Sequence, residues 1–131
     1  MKKNIFVVAA VIVKDGSILC AQRNRNKTLA LKWEFPGGKI ESGETQEEAL
    51  VREIKEELSC CIKVGKKIIS TTHSYDFATI HLTAFLCTLS DDKILLNEHE
   101  ALKWLNPNEL NTLDWSDADK PIVKHIEKLF L

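Results

Sequence analysis

The sequence predicts a layered α/β (α+β) domain, and three observations carry that prediction. β-branched apolar runs open the chain and return after residue 60, a capped amphipathic helix lies between the two groups, and a second helical pattern closes the chain. The 131 residues fit one domain, residues 1–131, able to bury a core without disulfides or a structural metal.

Taken in order, Ile5 to Val13 is an apolar, β-branched run followed by the turn-like Lys14-Asp15-Gly16-Ser17 and a second apolar segment, Ile18 to Ala21. This reads as a hairpin. Lys2 and Lys3 before the apolar run imitate a secretory leader, but the run is β-branched, passes straight into a turn and is far shorter than the ~20 residues of a membrane span. Arg23 to Lys32 is polar and basic without a period, a loop of about ten residues, long enough to suggest a function. Trp33-Glu34-Phe35-Pro36-Gly37-Gly38 ends it, with Pro fixing φ and the glycines opening backbone conformations closed to other residues.

Thr45-Gln46-Glu47-Glu48 is a capping box that starts a helix running to about Leu58. At about 100° per residue, Leu50, Val51, Ile54 and Leu58 form an apolar stripe beside an acidic one of Glu53, Glu56 and Glu57. Cys60 to Ser70 and Thr79 to Leu89 read as strands with a break at His73 to Phe77, and Ala101 to Leu105 as a short strand. A last helix fits Ala118 or Asp119 to Phe130, with Pro121 in its first turn and Ile122, Val123, Ile126, Leu129 and Phe130 on the buried face.

Composition excludes several functions. Hydrophobic residues at 44% and charged residues at 28% describe a globular chain. A net charge of −1, from 18 Lys and Arg against 19 Asp and Glu, offers no general field for a nucleic-acid polymer. Cys20, Cys60, Cys61 and Cys87 lack zinc or redox spacing and read as reduced core thiols of a cytoplasmic protein. His73, His81, His99 and His125 are scattered and suggest no zinc site.

Chemistry concentrates on the first helix. Glutamates at i, i+3 and i+4 place three carboxylates on one face, about 5–6 Å apart at Cβ, where like charges repel. A solvated acidic face is one explanation; a site for a hard cation such as Mg²⁺, which prefers carboxylate oxygens, is the other. The residues around them decide: Gly38-x5-Glu44-x7-Arg52-Glu53-Ile54-x-Glu56-Glu57-x-Ser59-Cys60 resembles the Nudix signature G-x5-E-x7-R-E-U-x-E-E-x-G-U, where U is apolar. The approach Trp33 to Glu41, the acidic Glu98 six residues before Trp104, and the tail Leu113 to Pro121 resemble the MutT-like and CTP-pyrophosphohydrolase branches of that family.

The resemblance implies a mixed β-sheet sandwiched between helices and Mg²⁺-dependent hydrolysis, with Mn²⁺ as the other candidate ion, of a (deoxy)nucleoside triphosphate to a monophosphate and pyrophosphate. It implies a metal site of the Gly37 carbonyl with Glu53, Glu56, Glu57 and Glu98, with Glu53 favoured over Glu98 as the base, Arg52 orienting a glutamate such as Glu56, and Glu44 structural. Glu34, Phe35, Pro36, Gly37 and Gly38 would contact substrate, Arg23 would clamp phosphate, and Asp119 would read an exocyclic amine of cytosine or guanine, 8-oxo-guanine included. Asp119 is alternatively a helix cap. Other nucleoside diphosphate derivatives, such as ADP-ribose or a dinucleoside polyphosphate, are the alternative substrates, and a non-catalytic nucleotide sensor is the alternative of another class. No membrane partner is expected, and the protein would be a monomer or homodimer. The chain departs from the signature at Ser59 and Cys60. Glycine at the first of these serves as a left-handed helix stop, which Ser adopts at a cost of about 1 kcal/mol.

Overall fold

A computed structural model describes residues 2–91 and 93–130; Asp92 lies outside it, as does the side chain of Phe130 expected on the last helix's buried face. Seven strands form one mixed sheet: β1 (Lys3–Lys14), β2 (Ser17–Gln22), β3 (Trp33–Glu34), β4 (Gly37–Lys39), β5 (Ile62–Ser74), β6 (Ala78–Leu89) and β7 (Ala101–Leu105). The helices are α1 (Gln46–Leu58) and α2 (Lys120–Phe130). None is long and apolar enough to cross a membrane among the described residues.

β1 is the organising strand. The β1–β2 hairpin turns on Asp15 at φ 51° and Gly16 at φ 79°, two consecutive positive values that match the right-handed twist of the flanking strands. β1 then pairs in parallel with β6 from Lys3↔Ala78 to Ile12↔Cys87, and in antiparallel with β4 from Val7↔Lys39 to Ala9↔Gly37. The central spatial order is β3-β2-β1-β6-β5, with β7 on β2. Because strand side chains alternate between faces, Val8, Ala10 and Ile12 pack with Leu50, Ile54 and Leu58 of α1, while Ala9 and Val11 pack with Ile122 and Ile126 of α2. Each face of the sheet therefore buries its own helix, and β1 is continuously apolar from Val8 to Ile12, where both of its faces are covered.

Most predicted elements occur where expected, with four differences. Val51 is 42% and Leu129 58% exposed, so each buried face is narrower than its helical projection and these two residues lie at its rim. Trp33–Glu34 and Gly37–Lys39 are short strands and not only a turn. β5 extends to Ser74, so the break shrinks to the Tyr75–Phe77 turn. Cys20, Cys60 and Cys87 are core thiols whose burial pushes them up to about 12, 11 and 12, but Cys61 is exposed.

α1 begins with the expected reciprocal cap: Glu48 N–H donates to Thr45 Oγ1 at 3.1 Å and Thr45 N–H to Glu48 Oε1 at 2.9 Å. It ends at Ser59, in the left-handed region at φ 53° and ψ 32°. Ser59 Oγ also accepts from Asn97 Nδ2 at 2.7 Å. Ser59→Gly therefore removes about 1 kcal/mol of backbone strain but also a hydrogen bond worth about 1 kcal/mol, and denaturant melts should show a near-zero change. Ser59→Ala keeps the strain and loses the bond, so it should destabilise by about 1 kcal/mol. Equal losses for both variants would mean that strain at this position is negligible.

Candidate active site

A cleft of about 630 Å³ opens beside β1 and β4, and is lined at one end by Gly37, Gly38 and the acidic face of α1 and at the other by Phe35, Ala118 and Asp119. Its position follows from the β4 geometry. Ala10 N–H donates to Pro36 O at 2.8 Å and Ile40 N–H to Phe6 O at 3.0 Å. Antiparallel pairs alternate between bonded and non-bonded, so Gly37, opposite Ala9, turns its amide and carbonyl away from β1. Its N–H donates to Glu57 Oε1 at 3.0 Å. Gly38 brings the backbone against α1 so closely that a Cβ there would fall on the Glu53 carboxylate, and a Cβ on Gly37 would strike the Val8 carbonyl. The two glycines are thus required by close approach between β1, β4 and α1.

The acidic face gathers more carboxyls than its neighbouring cations can hold ionised. Burial pushes Glu57 up to about 9, helped by Glu34 and Glu53, against the opposing Gly37 amide. Burial also pushes Glu53 up to about 7, with Glu56 beside it and Glu98 across the cleft adding to the rise and Arg52 opposing it. Arg52 grips Glu44, its Nε donating to Oε2 at 2.6 Å and Nη2 to Oε1 at 2.9 Å, and holds the Glu44 carboxyl down at about 2. The expected Glu56 partner is a weaker contact at 3.3 Å, matched by Glu53 at 3.3 Å. Glu44 wins because it reaches Arg52 from the loop before the helix and presents both oxygens to the planar guanidinium. Arg52 Nη2 also donates to Lys39 O at 3.0 Å, fastening β4 to the helix.

At the other end, Phe35 stacks on Trp115 with centroids 4.6 Å apart. Phe35 N–H donates to Asp119 Oδ1 at 3.1 Å. Asp119 therefore binds β3's continuation and does not cap α2; a 3-10 turn, Asp117–Asp119, leads into that helix instead. Burial, with Glu34 nearby, raises the Asp119 carboxyl well above its usual range. Burial acts on Glu34 in the same direction, but His99 and Arg23 outweigh it and hold Glu34 below the usual value.

Arg23, expected as a phosphate clamp, lines the cleft and is already engaged there. Its Nη1 donates to Glu34 Oε1 at 2.8 Å, its Nε to Thr28 O at 2.7 Å and its Nη2 to Thr28 Oγ1 at 3.2 Å. A guanidinium so engaged anchors Glu34. Lys27 and Lys39 line the cleft and supply other cations for an anionic ligand. His99, treated by spacing as an ordinary histidine, has Nε2 3.0 Å from Glu34 Oε2 and is 8% exposed. No local spacing sets it apart, because its partner lies 65 residues away in the chain.

Among the described residues no three His, Cys, Asp or Glu side chains already surround a point in the geometry of a metal cage. The donor chemistry nevertheless suits a hard cation: Glu53, Glu56, Glu57 and Glu98 all line the cleft, all are oxygen donors, and the mutual repulsion of Glu53, Glu57 and Glu98 is what a cation would relieve.

Comparison with known proteins gives a consistent answer. The NUDIX domain model matches residues 3–126. CTP pyrophosphohydrolase of Escherichia coli (strain K12) is 40% identical over 122 residues, covering 93% of this chain and 90% of the relative. The 8-oxo-dGTP diphosphatase of the same organism is 30% identical over 131 residues, covering 98% and 100%. The solution structure of MutT, a Nudix hydrolase of methicillin-resistant Staphylococcus aureus 252, superposes with a TM-score of 0.80 at 50% identity, covering 98% of this chain and 99% of that one. Sequence signature, sheet architecture and the family match over residues 3–126 together establish that the chain belongs to the Nudix hydrolase family.

Proposed function

We propose that the protein hydrolyses a (deoxy)nucleoside triphosphate to the monophosphate and pyrophosphate, with Mg²⁺, or Mn²⁺ in its place, as the metal. The observation that carries this reading is the division of one cleft into a carboxylate-rich end at α1 and an aromatic and carboxyl end at Phe35, which is backed by Trp115, and Asp119. The first end suits phosphate with a cation and the second suits a base.

Glu53, Glu56, Glu57, Glu98 and the Gly37 carbonyl are the groups we assign to the metal. Bound there, the metal supplies charge neutralisation and polarisation of phosphorus. Glu53 takes the proton from water attacking an internal phosphorus, the β; Glu98 faces the same space and is the second candidate. Arg52, locked by Glu44, restrains Glu53 and Glu56, so the base keeps its direction between turnovers. Lys27 and Lys39 offset charge on phosphate and on the leaving nucleotide. At the far end, Asp119 and Glu34 face the base edge, with Phe35 behind them. The relatives' names point to cytidine and to 8-oxo-guanine nucleotides, and both bases carry an exocyclic amine that a carboxyl can accept from.

The deciding experiment is pyrophosphate release across a panel of CTP, dCTP, dGTP, 8-oxo-dGTP, ADP-ribose and a dinucleoside polyphosphate, with Mg²⁺ and with chelator. Metal-dependent pyrophosphate release from a triphosphate is expected. Turnover confined to ADP-ribose or the dinucleoside would overturn the substrate assignment, and tight binding without turnover would identify a sensor.

The carboxylates also set a pH dependence. Glu53 at about 7 and Glu57 at about 9 in the folded, metal-free chain lie above the ~4.3 of an unfolded Glu. The folded state therefore binds more protons, and the stability this supplies is full below about pH 4.3 and lost as pH rises through 7 and 9. With chelator present, the melting temperature should fall between about pH 5.5 and 8, below the range where the buried thiols matter. Mg²⁺ should remove the part of that fall due to Glu53 and Glu57, as should the Glu53→Gln, Glu57→Gln double variant, leaving the part due to the raised Asp119 carboxyl. A melting temperature that rises over this interval in chelator would contradict the shifts.

A further inference from the structure

Loop residues 93–100, between β6 and β7, carry Glu98, and this loop is fastened to the end of α1. The last helical carbonyls all find donors there or nearby: Ser59 N–H to Lys55 O at 3.0 Å, Asn97 Nδ2 to Glu56 O at 3.0 Å, Asn97 N–H to Glu57 O at 3.2 Å and Leu95 N–H to Leu58 O at 2.8 Å. Three of these four donors come from the loop. Asn97 Nδ2 gives its second hydrogen to Ser59 Oγ at 2.7 Å. Both amide hydrogens are thereby used, which fixes the orientation of the side chain.

The side chains that follow Asn97 divide between the two walls of the cleft. Asn97 points to α1, His99 reaches Glu34 of β3, and Glu100 pairs with Arg25 while its N–H donates to Gln22 O. Glu98, between Asn97 and His99, lines the cleft close enough to Glu53 and Glu57 to raise both. It forms no hydrogen bond or ion pair of its own among the described residues, so its direction depends on the backbone on either side.

Ser59 stands where the Nudix pattern has glycine, and glycine offers no hydroxyl. It occupies a left-handed conformation unfavourable to any residue with a Cβ, and its hydroxyl holds Asn97. We infer that Asn97, tied by the Ser59 hydroxyl and the Glu56 carbonyl, is the positioning residue that aims Glu98 at the carboxylate face of α1. This rests on the metal and substrate reading proposed above. In this chain the departure from the signature is part of the site: the helix stop and the Glu98 loop are joined through one side-chain amide.

The test compares wild type, Glu98→Gln, Asn97→Ala and Ser59→Gly by pyrophosphate release, by Mn²⁺ binding to the nucleotide-free protein followed by electron paramagnetic resonance, and by amide hydrogen exchange. In Asn97→Ala, kcat should fall about tenfold with KM unchanged, since a small misplacement is costly to an aligned group. Mn²⁺ binding should weaken in the same direction as in Glu98→Gln, and the amides of residues 95 and 97 should exchange up to about tenfold faster, as one or two lost hydrogen bonds permit. Ser59→Gly, which keeps the helix stop, should reproduce these changes on a smaller scale and guards against a folding defect in Asn97→Ala. Faster exchange in Asn97→Ala with wild-type kcat and Mn²⁺ binding would reduce Asn97 to a helix cap and overturn the inference. So would a Glu98→Gln variant indistinguishable from wild type, which would leave nothing to position. A wild-type protein that releases no pyrophosphate from any nucleotide would instead overturn the proposed function, and the Mn²⁺ and exchange measurements would still decide for or against the positioning role.

Discussion

Glu57→Gln is expected to lower kcat at least about a hundredfold while leaving the protein folded and, without metal, more stable. Two opposite effects meet at this residue. As a ligand or charge partner for a divalent cation, its anionic form is required, and replacing an essential acid–base or metal-binding group typically costs ~10²–10⁴ in rate. In the metal-free chain the same carboxyl is 8% exposed and is pushed up to about 9 by burial, Glu34 and Glu53. A neutral amide removes that repulsion, and its carbonyl oxygen can still accept from Gly37 N–H as Glu57 Oε1 does at 3.0 Å. Activity and chelator-treated melting temperature should therefore move in opposite directions, and the Mg²⁺-induced rise in melting temperature should shrink. Glu53→Gln and Glu56→Gln should also lose activity, but with a smaller gain in stability for the exposed Glu56. A Gln series that keeps near-normal Mg²⁺-dependent rates would sink the metal-site assignment.

Sequence was informative where function and fold are written at short range. The reciprocal cap at Thr45 and Glu48, the left-handed stop at Ser59 and the i, i+3, i+4 glutamates all lie on one helix, whose periodicity fixes which side chains share a face. The β1–β2 hairpin was similarly legible from Asp15-Gly16 between two apolar runs. What could not be read depends on contacts between distant positions. Glu34 meets His99 across 65 residues of chain, and Asp119 meets the Phe35 amide across 84. No local spacing distinguishes His99 from a surface histidine or Arg23 from a free loop cation, because each is given its role by a partner on another strand. Val51 and Leu129 show the same limit for packing: a helical projection locates a face but not its width, which is set by what packs against it.

Asp119→Asn and Asp119→Ala should separate base recognition from support of the fold. Asp119 is 6% exposed, and its Oδ1 is the acceptor for Phe35 N–H at 3.1 Å. Alanine leaves that amide buried without its acceptor, so a loss of about 1–3 kcal/mol in stability is expected whatever the residue does to substrate. A lower melting temperature for the alanine variant is therefore not informative about recognition. Asparagine keeps an oxygen for Phe35 and also removes the cost of a buried carboxyl beside Glu34, the cost that raises Asp119 well above its usual range; this variant should melt no lower than wild type. The other terminus of the new amide, however, is an obligatory donor, where the carboxyl could either accept from an exocyclic amine or, protonated, donate to a ring carbonyl. If Asp119 accepts from the base, the substituted side chain meets the amine with an NH₂ group, and kcat/KM for the preferred nucleotide should fall about 10- to 100-fold while a poor substrate changes by less than about threefold. If Asp119 donates, the asparagine variant should retain the preference and only the alanine variant should lose it. A uniform decline across all bases in the stable asparagine variant would remove Asp119 from base recognition and leave it as the pin that holds Phe35 against Trp115.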